Sequence, residues 1–460
     1  MIAWALAVAL AGEPERVPAE QGLPPAEAPV EQAPTLIPEV EPLPVEAPIE
    51  PSPPEPPKKK SKVTFRATGH VKSFGLATFP YPSDLLPSEP SGQGIADARL
   101  ALTLGVGKVF RFEIAHAITP TLGASGSSLS LGRTGVGVTG NETVRLSWTA
   151  FGDGTFKLAG RTDRLVFRFK LPHVDLSIGR QPVTFGTGMF FTPLDLVNPF
   201  TPTTIDTEVK PGVDAVRVDG YVGTSTKITA VAAYVGDPST YDPEAAYAKD
   251  WSTRALAFAA HGQATVGVTD LSLLYGYIHR DHVIGVSVAT SAGPVALHGD
   301  AALTVADPDS DDGVYFRGVL GASGLVTPKT SLSGELYVQT LGTTQADQLL
   351  AQLTGPRYQR SELWLGGVGY YAVALDQEIV PVLHGAVAVI GSLTEASLLL
   401  TPSIRWSIAD NADLGLGGFV GIGKRPSTDV DALTLLQTGG LRSEFGTYPG
   451  VVFLQLRSWF

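Results

Sequence analysis

The chain contains no cysteine and only 2 methionines in 460 residues. Without cysteine it can form no disulfide, no thiolate metal site and no cysteine nucleophile. It also lacks any apolar run near the roughly 18 residues that a transmembrane helix needs. To span a membrane it would have to be a closed β-barrel, the other structure that satisfies backbone polar groups in lipid. No dense basic stripe is present and the formal charge is −12, which argues against a nucleic-acid partner.

The first 62 residues differ in composition from the rest of the chain. Residues 1–11 form a short apolar stretch ending in the small-x-small sequence Ala9-Leu10-Ala11, which predicts a signal segment although no Lys or Arg precedes it. Residues 12–62 hold 15 Pro and 10 Glu, so they bury too little apolar surface to fold. We predict a disordered Pro/Glu-rich periplasmic leader. Its basic end at Lys58–Lys62 contacts peptidoglycan or anionic lipid headgroups, or only keeps the leader soluble.

Residues 63–460 consist of short segments in which apolar and polar residues alternate, separated by Gly, Pro, Asp, Asn and Ser. Helical spacing is nearly absent, and one helical turn is predicted at Gln345–Leu353, inside a loop. At roughly 22 residues per strand and turn, 398 residues predict about 18 strands, and 16 to 20 are compatible. The predicted fold is all-β, a transmembrane antiparallel β-barrel.

The alternation separates an apolar face from a charged one. Phe167 and Phe169 point one way, whereas Arg168 and Lys170 point the other. A soluble β-sandwich shows the same period, so periodicity alone does not decide between the two. Aromatic residues near the predicted strand ends favour a lipid-embedded barrel with interfacial girdles; they are Trp148, Tyr221, Tyr234, Trp251, Trp364, Trp406 and Trp459.

The last strand alternates up to a terminal phenylalanine. Its apolar face carries Val452 and the three residues Leu454, Leu456 and Phe460, whereas Gln455 and Arg457 lie on the other face. This pattern resembles the C-terminal assembly signal of Gram-negative outer-membrane β-barrels, although Ser458 stands where a larger apolar residue is common. The resemblance implies recognition by the barrel-assembly machinery and a place in the outer membrane. We predict that this strand pairs with Val63–Ser73 and closes the barrel.

A second resemblance covers about 40 residues, from Ile178 to Arg217. It includes G-R-Q at a strand end, an aromatic and Pro-rich loop with N-P-F, and P-G-V-D-A-V-R at a strand start. This segment is similar to one in porin-like barrels related to alginate-export families, which implies a channel but does not fix its substrate.

The loop within that segment is too apolar to extend freely into water. Four residues mark it as folded into the barrel mouth or lumen, where it would narrow the pore: Phe190, Phe191, Asn198 and Phe200. The alternative is a structural cap that keeps two strands in register.

Charged residues on and near this loop are candidates for a constriction, namely Arg111, Arg145, Arg168, Lys170, Arg180, Asp195, Asp206 and Arg217. Arginines facing an acidic loop would orient a dipolar or anionic solute. Equally, they could be ion pairs that brace a wide or plugged barrel. By parity Arg180 would face lipid, so we expect its strand to end there and its side chain to pair with Asp195 or Asp214.

Catalytic and metal sites are not predicted. His279 and Asp281 could form an acid–base pair, but they read equally as a turn, and no nucleophile pattern accompanies them. Asp307–Gly313 resembles a fragment of a calcium loop without its distal Glu, which favours a solvated acidic loop. We therefore expect no enzyme activity and no cofactor.

The sequence thus predicts an outer-membrane channel of a Gram-negative bacterium for passive passage of small hydrophilic solutes, anionic ones among them. Two alternatives stay open: a non-conducting barrel that tethers the outer membrane to the cell wall, and a barrel that exports an anionic polysaccharide. Expected partners are outer-membrane lipid, the assembly machinery, small solutes and, through the leader, peptidoglycan.

Overall fold

The computed structural model describes residues 63–81, 89–123, 142–152, 155–197, 208–236, 245–360, 362–363, 365–425 and 441–460. Within these ranges, eighteen antiparallel strands form one closed barrel, and a nineteenth, short strand lies beside it. The predicted all-β barrel of about 18 strands is confirmed. The predicted signal segment 1–11 and leader 12–62 lie outside the described residues.

The strands are numbered along the chain, with β4 as the short extra strand. Their bounds are β1 Val63–Phe79, β2 Ser91–Val106, β3 Phe110–Gly123, β4 Ser147–Phe151, β5 Phe156–Lys170, β6 Val174–Gln181, β7 Val213–Val222, β8 Thr226–Tyr234, β9 Leu256–Val266, β10 Thr269–Ile278, β11 Asp281–Ala292, β12 Val295–Val305, β13 Val314–Thr327, β14 Thr330–Gln339, β15 Gly369–Val380, β16 Leu383–Ser392, β17 Leu398–Ala409, β18 Ala412–Ile422 and β19 Gly450–Trp459.

The barrel closes between β1 and β19, as predicted, but the pairing lies farther along β1. His70 lies opposite Trp459 and Phe79 opposite Gly450, so the paired residues overlap the predicted Val63–Ser73 only from His70 to Ser73. The first residues of β1 pair instead with the end of β2, where Val63 lies opposite Val106. The stagger of neighbouring strands in a tilted barrel sets this offset, and alternation along one strand does not report it.

The two ends of the barrel differ. Short turns of a few residues join β2 to β3, β5 to β6, and every second pair after them, and we call this the turn end. The opposite, loop end carries the longer connections, including the one from β6 to β7. In outer-membrane barrels long loops lie outside the cell and short turns face the periplasm.

The loop between β14 and β15 contains two helices, α1 (Leu349–Thr354) and α2 (Pro356–Gln359), preceded by a 3-10 turn at Ala346–Gln348. The helical turn predicted at Gln345–Leu353 is thus confirmed. Among the described residues, no helix is both long and apolar enough to cross a bilayer.

Side chains alternate between an apolar outer face and a packed, polar inner face. On β19, Leu454 and Leu456 are 51% and 45% exposed, whereas Gln455 and Arg457 are 4% and 5% exposed. Other strands follow the same pattern, as with exposed Phe167 on β5. A surface this apolar over the whole circumference requires lipid, because soluble proteins rarely expose large continuous apolar patches.

Candidate functional site: a constriction across the lumen

The chain between β6 and β7 leaves the wall at the loop end and folds into the barrel. We call residues 182–197 the inward segment. Val183, Phe185 and Leu194 pack against inward-facing side chains of β7–β12. Phe190 and Phe191 are 1% and 0% exposed and pack against β13–β19. The inward segment therefore spans the lumen. Of the four residues predicted to fold inward, Phe190 and Phe191 lie inside the barrel, whereas Asn198 and Phe200 lie outside the described residues.

Aromatic stacking positions the tip of the inward segment. The rings of Phe191 and Tyr337 on β14 are stacked, with centroids 4.9 Å apart and planes at 5°. Tyr370 on β15 lies 6.5 Å from Phe191 and 6.4 Å from Tyr337. Such contacts add to the burial of apolar surface, so the tip is fixed in place rather than free in water.

Asp300 on β12 anchors the first turn of the inward segment. Its carboxylate accepts the backbone N–H of Thr187 at 3.0 and 2.8 Å, the Thr187 hydroxyl at 2.8 Å and the N–H of Gly188 at 2.9 Å. Close approach requires glycine here. A Cβ at Gly186, where φ is +89°, would lie 2.6 Å from a carboxylate oxygen of Asp300.

Glu335 on β14 anchors the next turn. Its carboxylate accepts the N–H groups of Phe190 and Phe191, both at 2.8 Å, and that of Met189. His298 on β12 contacts the same carboxylate at 2.7 Å. Glu335 is 3% exposed. Charge-assisted bonds to buried amides are among the stronger hydrogen bonds, so Asp300 and Glu335 together hold the inward segment across the lumen.

The base of the inward segment is closed by an internal ion pair. Lys210 Nζ lies 2.5 Å from Asp195 Oδ1 and also donates to the carbonyl of Val183 and the hydroxyl of Thr184, both at 2.8 Å. Asp195, a predicted constriction residue, is 6% exposed. The structure therefore places Asp195 within the fold of this loop.

Opposite the inward segment, the wall made by β1, β2, β3 and β5 is rich in cations. Arg99 binds Asp163 through two nitrogens, at 3.1 and 3.0 Å. Arg164 contacts the same carboxylate at 3.2 Å, so two guanidiniums share one acid. Lys72 lies 2.6 Å from Glu208, on the stretch that returns from the inward segment to β7. We call Lys72, Arg99, Arg164 and Arg168 the basic wall.

Several predicted constriction residues lie on this side of the barrel. Arg168 faces inward and contacts Glu113 at 3.2 Å. Arg111 and Lys170 share the inward parity, lie near the turn end and are exposed. Arg217 faces inward on β7 and binds Asp219 at 2.8 Å. Asp206 lies outside the described residues.

Arg180 lies in the wall, where it pairs with Asp214 as predicted. Its Nε and Nη2 donate to the two oxygens of Asp214 at 2.8 and 2.9 Å, and its other bonds reach the carbonyls of Thr162 and Val144. Arg180 shares the parity of exposed Ile178, yet it is only 1% exposed. Residues 142–146, just before β4, cover its side chain. Near the loop end β4 takes the place of β6 as the neighbour of β5. Arg145 belongs to this covering stretch.

A separate ionic network lines a cavity of 710 Å³ at the loop end. Arg357 on α2 binds Asp281 at 2.5 Å, Asp312 at 2.6 Å and Glu362 at 2.9 Å. Burial would raise the pKa of Glu362, but Arg360, Arg317 and Arg357 outweigh burial and hold that pKa well below its usual range. The sequence did not predict this network because its members lie far apart along the chain: Asp281 begins β11, Asp312 lies between β12 and β13, and Arg357 and Glu362 lie between β14 and β15.

Two doubtful sequence motifs also belong to this end of the barrel. His279 and Arg280 have φ of 51° and 69°, the left-handed backbone of a tight hairpin turn. Asp307 and Asp309, in the fragment that resembles a calcium loop, contact Arg280 at 3.0 and 2.6 Å. Across the described part of the chain, no group of three or more His, Asp or Glu side chains is arranged to hold a metal ion.

The fold is similar to that of solved outer-membrane channels. OccAB1 of Acinetobacter baumannii aligns with a TM-score of 0.51 and 10% identity, over 88% of this chain and 99% of that one. OpdK of Pseudomonas aeruginosa, solved with vanillate, gives 0.50 and 11%, over 86% and 98%. A BenF-like porin from Pseudomonas fluorescens Pf-5 gives 0.50 and 10%, also over 86% and 98%. No protein-family model and no curated protein matches the sequence.

These similarities establish the fold, a closed 18-strand barrel of the outer-membrane porin type. With the apolar outer face, this architecture makes the protein an outer-membrane β-barrel.

Proposed function

We propose that the protein is an outer-membrane channel for passive passage of small hydrophilic solutes, and that it favours anions. The observation that carries this proposal is the asymmetry of the lumen. The inward segment packs against β7–β19, so the passage runs along the basic wall, where the Arg168 and Glu113 side chains stay 31% and 21% exposed.

The basic wall supports the anion preference through its charge balance. Its four cations, Lys72, Arg99, Arg164 and Arg168, face Glu208, Asp163 and Glu113 in ion pairs. A fourth carboxylate of the same wall, Asp97, pairs with His70. Arg66, Arg111 and Lys170 share the inward parity closer to the turn end, and within the described ranges they form no ion pair. An excess of fixed positive charge in a narrow, low-dielectric passage raises the local concentration of anions.

Transport explains the charged groups better than catalysis does. The carboxylate of Asp281 is occupied by Arg357 at 2.5 Å and Arg360 at 3.3 Å. His279 instead faces the carbonyl of Arg254 at 3.0 Å. The pair considered from the sequence therefore lacks the mutual contact that acid–base work needs.

The alternative of polysaccharide export rests on the resemblance of Ile178–Arg217 to alginate-export families. A chain in transit needs a wide continuous passage, whereas the inward segment is anchored to the far wall by Asp300 and Glu335. This anchoring favours small solutes.

Planar-bilayer recordings test the proposal. We expect purified, folded protein to conduct, and its reversal potential in a KCl gradient to show anion selectivity. Arg99→Ala with Arg168→Ala should lower that selectivity, whereas Lys329→Ala, at a turn-end pair with Glu378 away from the basic wall, should not. Absence of current would contradict the channel, and cation selectivity would contradict the anion preference.

A further inference from the structure

A second stretch of chain, residues 441–447, folds into the barrel mouth at the loop end, just before β19. Phe445 is 0% exposed and packs among inward-facing residues of β17, β18 and β19. Its ring meets Tyr370 edge-on, with centroids 6.2 Å apart. Tyr370 in turn lies 6.5 Å from Phe191 of the inward segment. The two stretches therefore belong to one packed cluster.

This stretch is held by a pair of carboxylates rather than by an ion pair. Glu444 is 1% exposed and accepts the Tyr370 hydroxyl and, at 3.1 Å, the N–H of Gly366. The N–H of Glu444 donates at 2.6 Å to Glu395, in the connection between β16 and β17. The other oxygen of Glu395 is buried without a hydrogen-bond partner. The buried Glu444 thus lies beside a second acid, Glu395, which is partly buried.

Among the described residues, no cation forms an ion pair with Glu444 or Glu395. The remaining titratable groups packed around Glu444 are the phenols of Tyr358, Tyr370 and Tyr448. On its own connection lie Lys424, Arg425 and Arg442, and none of them forms an ion pair with Glu444 or Glu395 in the described structure. Arg425 instead donates to the carbonyl of Gly446 at 2.9 Å and lies 3.1 Å over the Tyr81 ring.

We propose that residues 441–447 form an acid-stabilised gate, held in the mouth while Glu444 is protonated and released when Glu444 ionises against Glu395. The inference rests on the proposed channel function for its effect on current, but not for the movement itself. The chemistry is one proton leaving the Glu444 carboxyl to solvent. The resulting anion has a like charge beside it, and within the described part of the chain it is bound by Tyr370 and backbone N–H groups alone.

The direction of the pH effect follows from burial. Burial, opposed by bonds from Tyr370 and Gly366 and reinforced by Glu395, raises the pKa of Glu444 to about 7. When the gate opens and Glu444 reaches water, its ordinary value of 4.5 returns. The held form is therefore favoured fully below about pH 4.5. Between about pH 4.5 and pH 7, the ratio of held to released form falls about tenfold per pH unit, and above about pH 7 it stays constant.

Hydrogen exchange of backbone amides 441–447, normalised for intrinsic rates, tests the movement without reference to transport. We expect protection to fall between pH 5 and pH 8 in the unmodified protein, and to stay pH-independent in Glu444→Gln. Asp309→Asn, an exposed acid of the same barrel end, is the matched control and should behave like the unmodified protein.

Two further variants shift the effect in opposite directions. Glu395→Gln removes the neighbouring charge but keeps an acceptor for the Glu444 N–H, so protection should fall less by pH 8. Tyr370→Phe removes a donor to the ionised carboxylate, so protection should fall more. Shifts of the same sign in both variants, or a pH response that survives Glu444→Gln, would overturn the gate.

Channel recordings then separate this inference from the channel proposal. If the gate narrows the passage, open conductance or open probability should rise from pH 5 to pH 8 and stay constant in Glu444→Gln. Current without pH dependence, together with unchanged exchange at 441–447, rejects the gate and leaves the channel. Absence of current with pH-dependent exchange rejects the channel and leaves the gate.

Discussion

The Glu335 carboxylate on β14 accepts the backbone N–H of Phe191 at 2.8 Å. The inward segment that carries Phe191 begins between β6 and β7, on the other side of the lumen. A wall residue thus fixes the position of a loop that starts eight strands away around the barrel. If this contact sets the width of the passage, removing the charge of Glu335 should change conductance while the protein still folds.

We expect Glu335→Gln to raise single-channel conductance. An amide cannot accept three backbone N–H groups as well as a carboxylate does. The loss of charge-assisted bonds should weaken the anchor by about 1.5–3 kcal/mol. Glu378→Gln, at a partly exposed turn-end pair with Lys329, serves as the control and should leave conductance unchanged. Equal conductance in the unmodified protein and in Glu335→Gln would show that Glu335 does not set the width.

Deletion of the second half of the inward segment and the residues after it should have a larger effect than the loss of the Glu335 anchor. Deleting residues 190–202 removes the two buried aromatics that fill the lumen beside Tyr337 and Tyr370. We expect a clear rise in conductance and a weaker preference among solutes, measured in planar bilayers and by liposome swelling. A deletion variant that folds and conducts like the unmodified protein would disprove the constriction.

Arg180 should contribute to stability and not to selectivity. Arg180→Ala removes the cation that pairs with Asp214. It also removes one of the two buried arginines beside Glu142, and Arg161 remains as the other. The loss should cost about 3–5 kcal/mol in the free energy of unfolding. Urea unfolding in lipid vesicles measures that cost, and the reversal potential should stay the same because Arg180 lies in the wall. A changed reversal potential with normal stability would indicate that Arg180 acts on the passage instead.

The pair Lys210–Asp195 allows a double-mutant test. Lys210→Met alone leaves the buried Asp195 carboxylate without its cation, so we expect a marked loss of stability. Lys210→Met with Asp195→Leu removes both charges and should recover much of that loss, because an apolar pair can replace a buried ion pair. Additive losses in the two single variants would mean that the side chains do not act as a pair.

The assignment of an outer, lipid-facing side and an inner side can be tested by placing a charge on each. Leu454→Lys places a charge on the outer face of β19, which should cost about 2–4 kcal/mol near the membrane midplane. Ser272→Lys places the same charge on the inner face of β10, where Ser272 is half-buried, and should cost less. Unfolding experiments in vesicles compare the two. Similar costs would contradict the assignment of inner and outer faces.

Alternation along the chain predicted the strands, chain length gave their approximate number, and the aromatic residues near strand ends indicated that the apolar face meets lipid. Alternation worked because a strand in a barrel has only two faces, and lipid accepts only one kind of side chain. Exposed Leu454 next to buried Gln455 is an example. The inward position of Phe190 and Phe191 was also predictable, since apolar residues in a long loop must find a packed site.

Other features came only from three-dimensional contacts. Asp300 and Glu335 were not predicted because they are more than 100 residues from the amides that they bind. Nothing in the local pattern distinguishes them from other inward-facing acids. The closing register of β1 with β19 and the burial of Arg180 under residues 142–146 likewise depend on the stagger of neighbouring strands.

The barrel, its approximate strand number and its apolar outside could be read from local patterns, because each strand carries its own alternation and its own aromatic ends. The tertiary contacts specify which carboxylate holds the inward segment, which cations pair with Asp163 and Glu208, and which acid lies beside Glu444. Those pairings form only when the barrel closes, since closure brings together side chains from distant strands at distances of about 3 Å.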